Sequence, residues 1–473
     1  RFAYLTNPFH SQNKDLPNKY SREPPSVREP RRCDHIYNDP PDDQDPLEVA
    51  YGYRAALHKG RILAPDEELV YKYSLAPDGT LSDQPELVIQ RTHNVLTHQE
   101  CMKHPNECKD AIIDELKRWH KHRAWERMPR KQSKNLLTSK WVMKWKDVGG
   151  KRIVKARLTV QGFKDKQGDD LNNYSGTTSR WGQRLILAIA AQRKWRLHFA
   201  DVSEVFLRGL TFEELSKMPG ELSRRCELEL PPGAHLLFKS LPGMGDFDVT
   251  SEVLKMLRPG YGLKDAPRLW NLALKKALKE VGLQSSVADP ELYVLHSNGR
   301  LVLILSTHVD DLKYAGEEWA RKKLVAELEK QFEAMKLSEG DFEHCGVQHR
   351  QDSSTMEITV DQTHYAAQLR PMPEDHLSRG DPEKEVDTET HETFRSLLGG
   401  VAWLVQTRPD IAVYVQALQR RMSKPRAIDV ISLNRVLRYI KRKPLYLRFK
   451  AIDRPLSLVV ISDSAFQSKE QDC

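Results

Sequence analysis

The stretch LVLILSTHVDD, residues 301–311, passes from an apolar strand directly into two adjacent aspartates. ELYVLH at 291–296 has the same strand character, and Asn298 and Gly299 between the two stretches are a preferred pair for a tight hairpin turn. The sequence therefore predicts an antiparallel hairpin whose second apolar strand ends at the paired aspartates.

A second apolar strand ending in an aspartate is predicted upstream. In WRLHFADV, residues 195–202, Leu197, Phe199 and Asp201 alternate and so share one face of a strand. The preceding RLILAIAAQRK, residues 184–194, is apolar nearly all round, which predicts a buried helix. We therefore expect Asp201 near the end of a strand.

Aspartates gathered at strand ends need a cation. Like charges a few ångströms apart repel unless a cation lies between them, and Mg²⁺ prefers carboxylate oxygens together with substrate phosphates. We expect Asp201 to join Asp310 and Asp311 in a magnesium site. For an isolated Asp-Asp pair the competing interpretation is a solvated turn, and the surrounding segments decide between the two.

Basic and apolar residues alternate in WVMKWKDVGGKRIVKARLTVQGF, residues 141–163. The pattern around Gly149 and Gly150 predicts a β-hairpin with a basic face turned to solvent. Lys155 and Arg157 are one strand period apart and so lie on one face, where they can contact a polyanion. A basic face that meets only water is the alternative.

Apolar residues at steps of three and four predict amphipathic helices in further segments. The first is KDAIIDELKRWHKHRAW at 109–125, where we expect the folded part of the chain to begin. The three predicted stripes are Ile112, Ile113, Leu116, Trp119 and Trp125; Trp319, Leu324, Leu328, Phe332 and Met335; and Val430, Leu433, Leu437 and Ile440. For the region of the aspartate motifs, the strands and these helices predict an α+β layer structure without parallel βαβ crossovers.

The composition narrows the class of protein only loosely. A net charge of +8 favours polyanionic partners, although 66 acidic residues oppose 74 basic ones. The 6 cysteines include no Cys-x-x-Cys pair, which indicates free thiols in a reducing, intracellular compartment. We expect no membrane association, because no apolar run approaches the length of a membrane span.

Residues 1 to about 95 are rich in Pro, Asp, Arg and Asn and have no sustained helical or strand period. We expect a mobile or loosely packed leader without chemistry of its own. The first residue is Arg1, and Cys473 follows a strand-like segment, so we expect both ends to be cuts through a longer polyprotein.

Four residues of zinc-ligand type lie where the leader meets the first helix: His98, Cys101, His104 and Cys108. Structural zinc requires tetrahedral closure by ligands of these types. Their spacing is not that of a common zinc finger or knuckle. We therefore expect unliganded side chains, with a metal site as the alternative.

From about Lys109 onward, the order of segments resembles that of the copia-type retrotransposon reverse transcriptases. Five segments in the family's order and approximate spacing carry the resemblance: KWK at 144–146, VKARLTVQGF at 154–163, DVSEVFLRG at 201–209, YGLKDAPRLW at 261–270 and HVDD at 308–311. FRSLLGGVAWLVQTRPDI at 394–411 and LRYIKRKPLYLRF at 437–449 resemble the family's connecting region, and ISDSAF at 461–466 resembles the opening strand of a ribonuclease H domain.

The resemblance implies an α+β right-hand polymerase of fingers, palm and thumb with an antiparallel palm sheet. A connection region and the first strand of a truncated ribonuclease H-like domain would follow. The corresponding boundaries are 1–95 for the leader, 96–345 for fingers and palm, 346–455 for thumb and connection, and 456–473 for the ribonuclease H-like start. Of the ribonuclease H carboxylates only Asp463 is present, so we expect no ribonuclease H activity.

By the same resemblance, Asp201, Asp310 and Asp311 bind a pair of Mg²⁺ ions, for which Mn²⁺ can substitute, and the Val202 carbonyl completes the site. The implied nucleotide contacts are Lys155 and Arg157 on the triphosphate, Phe206 as an aromatic gate under the sugar, and Tyr261, Gly262 and Lys264 beside the nascent base pair and template. For Phe206 the alternative role is core packing. For the loop of Tyr261, Gly262 and Lys264, the alternative is that it only begins a helix with Pro267 in its first turn.

The implied activity is RNA-directed DNA synthesis, in which a primer 3′-hydroxyl attacks the α-phosphate of a deoxynucleotide. The implied partners are an RNA template, a DNA primer or RNA–DNA hybrid, deoxynucleoside triphosphates and the rest of a Gag-Pol polyprotein. The oligomeric state stays open. The implied location is a cytoplasmic virus-like particle, with a nuclear phase.

Three residues depart from the family's usual pattern. His308 stands where Tyr is usual, Asp265 where Gln is usual, and Val205 where Ala is usual. We expect Asp265 to add a negative charge near the template and Val205 to add volume beneath the nucleotide. The rival hypothesis is therefore a decayed or repurposed fragment that binds nucleic acid through its basic hairpin without polymerising.

Overall fold

The computed structural model describes residues 95–96, 98–148, 150–333, 335–374, 377 and 379–452, together with the backbone of short strands between residues 57 and 91. Those strands form antiparallel pairs, Leu57–His58 (β1) with Arg61–Ile62 (β2) and Glu67–Lys72 (β3) with Glu86–Arg91 (β4). The sequence pattern did not predict them. The rest of the leader, the segment ISDSAF and Asp463 lie outside the described residues.

The rest of the described chain contains both strands and helices. The strands are Trp125–Pro129 (β5), Leu136–Val148 (β6), Lys151–Val160 (β7), Leu197–Asp201 (β8), Glu227–Glu229 (β9), Glu252–Met256 (β10), Gln284–Ser285 (β11), Leu292–Ser297 (β12), Arg300–His308 (β13), Asp311–Gly316 (β14), Lys336–Glu339 (β15), Asp341–His344 (β16), Val347–Gln351 (β17), Ile358–Asp361 (β18) and Leu447–Phe449 (β19). The α-helices are His98–Lys103 (α1), Pro105–Lys121 (α2), Arg180–Arg193 (α3), Phe212–Ser216 (α4), Ala266–Val281 (α5), Glu318–Phe332 (α6), Thr363–Gln368 (α7), Thr388–Leu404 (α8), Ala412–Arg420 (α9) and Ala427–Arg442 (α10).

A six-stranded antiparallel sheet, ordered β11-β12-β13-β14-β8-β15, carries the aspartate motifs. The turn between β12 and β13 lies at Asn298 and Gly299, whose φ angles are 50° and 74°. Two-residue hairpin turns favour this backbone conformation, which Asn and Gly adopt readily. The predicted antiparallel hairpin is confirmed.

The apolar run of β13 is continuous because both faces of this sheet are covered. Leu303 and Leu305 pack with α5 and α6 in one core, whereas Ile304 packs with α3 in another. Alternate residues of a strand point to opposite faces, so a strand buried on both sides shows no polar alternation. Each leucine buried in this way stabilises the fold by about 1.5–3 kcal/mol.

A five-stranded sheet, ordered β5-β10-β9-β6-β7, contains the long basic hairpin. β6 and β7 pair from Ser139 opposite Val160 to Val148 opposite Lys151, and Gly150 in the turn has φ 79°. β6 also pairs with β9, in parallel. The predicted hairpin is confirmed, with α2 packed against β7.

The C-terminal part of the described chain combines a four-stranded sheet, β16-β17-β18-β19, with a helical core. Helices α8, α9 and α10 form that core, to which α10 contributes the predicted stripe of Val430, Leu433, Leu437 and Ile440. The β16–β17 hairpin crosses the predicted boundary between 345 and 346, and that boundary stays a prediction. Among the described helices, none has the length and apolar character of a membrane span.

The first predicted helix is too long at its C-terminal end. It ends at Lys121, and Arg123 follows with φ 49°, a left-handed conformation that interrupts the helix. Trp125 instead begins β5, where it pairs with Met256 and stacks on Trp119 with the ring centres 5.3 Å apart. Its apolar side chain reaches the same core from a strand.

Two other helical predictions also need correction. In α6, Trp319 is 49% exposed, Ala320 is buried instead, and Met335 lies beyond the end of the helix at Phe332. Helix α3 is not buried all round, because Leu185 is 45% exposed. In both helices an apolar residue lies on the solvent face.

Candidate active site

Strand pairing brings the three predicted carboxylates together. Asp201, the last residue of β8, lies directly opposite Asp311, the first residue of β14. The backbone N–H of Val202 donates a hydrogen bond of 3.1 Å to the carbonyl of Asp310. The two aspartates of the hairpin and the one from a distant strand therefore share one end of the central sheet.

The turn that carries Asp310 is strained and is held from outside. β13 and β14 close at the pair His308 and Asp311, and Val309 between them has φ 56°. A β-branched residue rarely adopts this left-handed conformation. The indole N–H of Trp270, on α5, donates to the Val309 carbonyl at 2.6 Å. The buried indole gains the acceptor that it needs, and the turn gains a fixed position.

The three carboxylates repel one another. Withdrawal from water, together with the neighbouring Asp310 and Asp201, raises the pKa of Asp311 to about 7. Withdrawal from water also raises the pKa of Asp310; Asp201 adds to that rise, while Arg157 opposes it. Positive charge between the carboxylates would relieve this repulsion, and hard divalent cations prefer such an oxygen-only ligand set. The three residues therefore fit a magnesium site.

A lysine of the chain itself contacts Asp201. β15 pairs with β8 so that Lys336 lies opposite Asp201, and the Lys336 ammonium is 3.2 Å from Oδ2. The lysine side chain is 64% exposed, and ion pairs as exposed as this one are weak. Lys336 can therefore give way to a divalent ion. Sequence reasoning had assigned it no role.

Three of the predicted nucleotide contacts form a continuous row. The guanidinium carbon of Arg157 lies 5.0 Å from the centre of the Tyr261 ring, and that ring meets the Phe206 ring edge-on with the centres 5.1 Å apart. Because the charge of Arg157 also lowers the pKa of Asp310, the row lies within electrostatic reach of the carboxylates. It connects the basic hairpin with the aspartate site.

Lys155 lies on the same face of β7 as Arg157, as predicted. Ala156 and Leu158, which alternate with the two cations, are buried. Lys155 is itself half-buried; burial, and then the positive charge of Lys146, lowers the pKa of its ammonium. An anion bound at this face would relieve the repulsion between the cations.

The loop at 261–264 depends on Gly262, which has φ 94°. A Cβ at this position would lie 2.0 Å from the carbonyl oxygen of Val160, so a side chain cannot be accommodated. The Val160 N–H donates to the Tyr261 carbonyl at 2.7 Å. The glycine thus allows the loop to contact the end of β7, and its role beside a base pair stays a prediction. The ammonium of Lys264 lies 3.1 Å from Asp169.

Asp265 belongs to a buried ion-pair cluster, and the prediction that it adds negative charge near a template stays a prediction. Its carboxylate is buried, 2.8 Å from Nε of Arg224, and the same guanidinium binds Asp165 at 2.5 Å. Burial alone would raise the pKa of Asp165, but hydrogen bonds from Asn135 and Arg224 hold it below its usual value. Arg224 therefore contacts both carboxylates inside the protein, one positive charge beside two negative ones. Asp265 also precedes α5, whose first turn contains Pro267 as predicted.

Val205 packs in the core, and its effect beneath a nucleotide stays a prediction. Val205 is 4% exposed and belongs to the core that contains Leu210 and Trp270. Phe206 is partly buried and packs against both neighbouring cores. Core packing and a role as an aromatic gate therefore both stay open for Phe206.

His308 belongs to a cluster that sequence reasoning missed. In the part of the chain that the structure describes, ligand atoms of His308, Asp311 and Cys345 lie within 4.8 Å of one another. Cys345 comes from the turn between β16 and β17. No local pattern in the sequence links this cysteine to the aspartates.

The described cysteine and histidine side chains at the first helix are not arranged to share one metal ion. The ligand atoms of Cys101, His104 and Cys108, among the described side chains, do not all approach within 4.8 Å of one another. His104 pairs with Glu107 at 3.3 Å and meets Trp145 edge-on. The side chain of His98 lies outside the description.

Known proteins match this chain over most of its described length. The reverse transcriptase (RNA-dependent DNA polymerase) family matches residues 122–223 and 233–370. The retrovirus-related Pol polyprotein from transposon RE1 of Arabidopsis thaliana is 25% identical over 450 residues, which are 91% of this chain and 28% of that protein. The corresponding polyprotein from transposon RE2 of the same plant is 25% identical over 415 residues, 85% of this chain and 26% of that protein. The Pol polyprotein from transposon TNT 1-94 of Nicotiana tabacum is 25% identical over 369 residues, 72% of this chain and 26% of that protein. The chain thus spans about a quarter of the length of these curated relatives.

In metal-free buffer at pH 8, Asp311→Asn should increase the free energy of unfolding by about 1–2 kcal/mol, a value discounted for partial solvent exposure. Folding raises the pKa of Asp311 from 3.8 to about 7, so its ionisation destabilises the folded state as pH rises through this range. The gain should be small near pH 4 and complete above pH 7. Urea unfolding at both pH values measures it, with exposed Asp170→Asn as the control. Equal stability of wild type and Asp311→Asn at pH 8 would contradict the inferred repulsion.

Trp270→Phe should lower the free energy of unfolding by at least the value of one hydrogen bond, about 0.5–1.5 kcal/mol, because the Val309 carbonyl loses its donor. Hydrogen exchange should also become faster in the turn at 308–311. Trp181→Phe, at a side chain that is 58% exposed, is the matched control and should change neither measurement. Unchanged exchange in the turn would mean that Trp270 does not hold it.

Arg224→Met should lower the free energy of unfolding by about 3–5 kcal/mol, because it leaves two buried carboxylates without their shared partner. The control is Lys264→Met, which removes a pair that is exposed on both sides and should cost less than about 1 kcal/mol. Chemical denaturation compares the two. A similar small cost for both variants would show that the buried triad is not structural.

Proposed function

Because the chain belongs to the reverse transcriptase (RNA-dependent DNA polymerase) family, we propose that it is an RNA-directed DNA polymerase of the copia type. The observation that carries the proposal is the register that puts Asp201 opposite Asp311, with Arg157 within electrostatic reach of Asp310. Phosphoryl transfer by this class of enzyme depends on positioning and electrostatics and needs no covalent nucleophile. The names of the relatives, Pol polyproteins of transposons, support the same assignment.

We assign the parts of the right hand as follows. The six-stranded sheet with α3, α5 and α6 is the palm, and the five-stranded sheet with the β6–β7 hairpin is the fingers. The C-terminal sheet and helices α8, α9 and α10 are the thumb and connection region. This assignment puts the basic hairpin and the carboxylates on adjoining parts of the enzyme.

Asp201, Asp310 and Asp311, with the Val202 carbonyl, would hold two Mg²⁺ ions, or Mn²⁺ in their place. When bound, these cations supply activation of the primer hydroxyl and neutralisation of the leaving pyrophosphate. The chain contributes the fixed geometry, because Trp270 holds the turn of Asp310. Lys336 would give up its contact with Asp201 to a bound cation.

Lys155 and Arg157 bind the triphosphate of the incoming nucleotide. Arg157 is exposed and offers two parallel N–H donors to phosphate oxygens, while Lys155 acts as a point charge. Tyr261 orients the guanidinium through a cation–π contact. Gly262 permits this arrangement, because it lets the loop of Tyr261 contact the end of β7.

Phe206 selects deoxynucleotides in this proposal. Its ring is fixed by the edge-on contact with Tyr261, next to the arginine that binds the triphosphate. A 2′-hydroxyl on the sugar would collide with a ring held in that position. Lys264 and the loop at 261–264 are assigned to the template side.

The substrates would be an RNA template, a DNA primer or hybrid, and deoxynucleoside triphosphates, with the rest of a Gag-Pol polyprotein as the partner. The net charge of +8 and the basic hairpin favour such polyanions. We propose a cytoplasmic virus-like particle as the location, with a nuclear phase. The alternative is a nucleic-acid-binding fragment that does not polymerise, which the departures at His308, Asp265 and Val205 favour.

Asp310→Asn should reduce primer extension on an RNA template by at least about a hundredfold, equivalent to about 3 kcal/mol of transition-state stabilisation. Affinity for a primer–template hybrid should change by less than about threefold, because phosphate contacts dominate it. Asp170→Asn, an exposed aspartate, is the matched control and should extend the primer as wild type does.

The two measurements separate the hypotheses. A wild-type chain that binds the hybrid but never extends the primer would replace the polymerase proposal with the binding-protein alternative. Extension that survives Asp310→Asn would move the chemistry away from the aspartate site.

A further inference from the structure

Three side chains of different chemistry meet beside the aspartate pair. They are the imidazole of His308, the carboxylate of Asp311 and the thiol of Cys345. Their ligand atoms lie within 4.8 Å of one another. Each of the three is half-buried, neither sealed in the core nor fully solvated. This cluster extends beyond the oxygen-only set formed by the three aspartates.

Rigid elements hold the cluster together. His308 and Asp311 are cross-strand partners at the end of the β13–β14 hairpin. Cys345 lies at the tip of the β16–β17 turn, where Cys345 and Gly346 have φ 51° and 67°. The Gly340 N–H donates to the Leu197 carbonyl at 2.9 Å, which ties the start of that hairpin to β8.

The ligand types favour a borderline-soft metal over magnesium. Zinc accepts imidazole nitrogen, thiolate sulfur and carboxylate oxygen, and three protein ligands leave one tetrahedral position open. We propose that His308, Asp311 and Cys345 bind a Zn²⁺ ion that withdraws Asp311 from the magnesium site and so inhibits nucleotide transfer. The inhibition rests on the proposed polymerase function; the binding does not.

Cys345 lies beside an imidazole as well as beside the two other members of the cluster. The Nε2 atom of His344 lies 3.5 Å from its sulfur. Burial, and then the negative charge of Asp311, raises the pKa of the Cys345 thiol to about 12, an effect that the positive charge of Lys313 opposes, so the metal-free thiol keeps its proton. His349 has its Nδ1 at 2.9 Å from the Val347 carbonyl and its Nε2 at 3.3 Å from the Lys313 ammonium. Of these contacts, the one between His344 and Cys345 involves a proposed ligand directly, and contacts of that kind orient the ligands of a metal site. Zinc binding displaces the thiol proton, which leaves to solvent.

Titration of the metal-stripped full chain with Co²⁺, a spectroscopic substitute for Zn²⁺, tests the site directly. We expect a thiolate-to-cobalt charge-transfer band that saturates at one equivalent and disappears when Zn²⁺ is added. Cys345→Ser should abolish the band, and His308→Phe should weaken cobalt binding by about tenfold or more. Cys101→Ser is the control and should keep the band; circular dichroism should confirm that each variant is folded.

Absence of the band in wild type, or its persistence in Cys345→Ser, would overturn the proposal. Loss of the band in Cys101→Ser would overturn it too, because the metal would then bind at Cys101 and Cys108.

In primer extension with excess Mg²⁺, Zn²⁺ should inhibit wild type at a concentration about tenfold lower than it inhibits Cys345→Ser. Equal inhibition of both would refute the inhibitory role. If neither protein extends a primer, the polymerase proposal and the inhibitory role fall together, while the cobalt spectrum still decides whether the site exists.

Discussion

The antiparallel pairing of β8 with β14 is the constraint on which the rest of the site depends. It fixes Asp201 opposite Asp311, two like charges that would separate if the chain were free to let them. Apolar side chains buried on both faces of the sheet hold the strands in that register. A slip of one residue would move each side chain to the opposite face of the sheet, so moving the aspartates would require both cores to be repacked.

Around that pairing, neighbouring groups limit the freedom of the remaining charges. The indole of Trp270 holds the strained turn of Val309, and the contact of Gly262 with Val160 brings Tyr261 between Arg157 and Phe206. These contacts come from α5 and the loop before it. One helix start thus supports both the carboxylates and the row of nucleotide contacts.

Sequence reasoning predicted the elements whose pattern is local. Asn298 and Gly299 mark their hairpin because both take positive φ, and the stripe of α10 is buried because its spacing matches one helical face. It failed where a partner is remote: Asp265 meets Arg224, 41 residues upstream, and Asp311 meets Cys345. Trp125 was assigned to a helix because periodicity cannot show that Arg123 ends it. Asp201, Asp310 and Asp311 were linked by charge and by resemblance, and the strand register then supplied the geometry.

The central claim is that these three aspartates bind divalent cations together. Electron paramagnetic resonance of Mn²⁺ added to the full chain with a primer–template and a deoxynucleotide tests this claim most directly, because bound and free Mn²⁺ give different signals. The account predicts bound Mn²⁺ in wild type and an affinity at least about tenfold lower in Asp201→Asn, which removes the ligand from the distant strand. Equal Mn²⁺ binding by both proteins would contradict it.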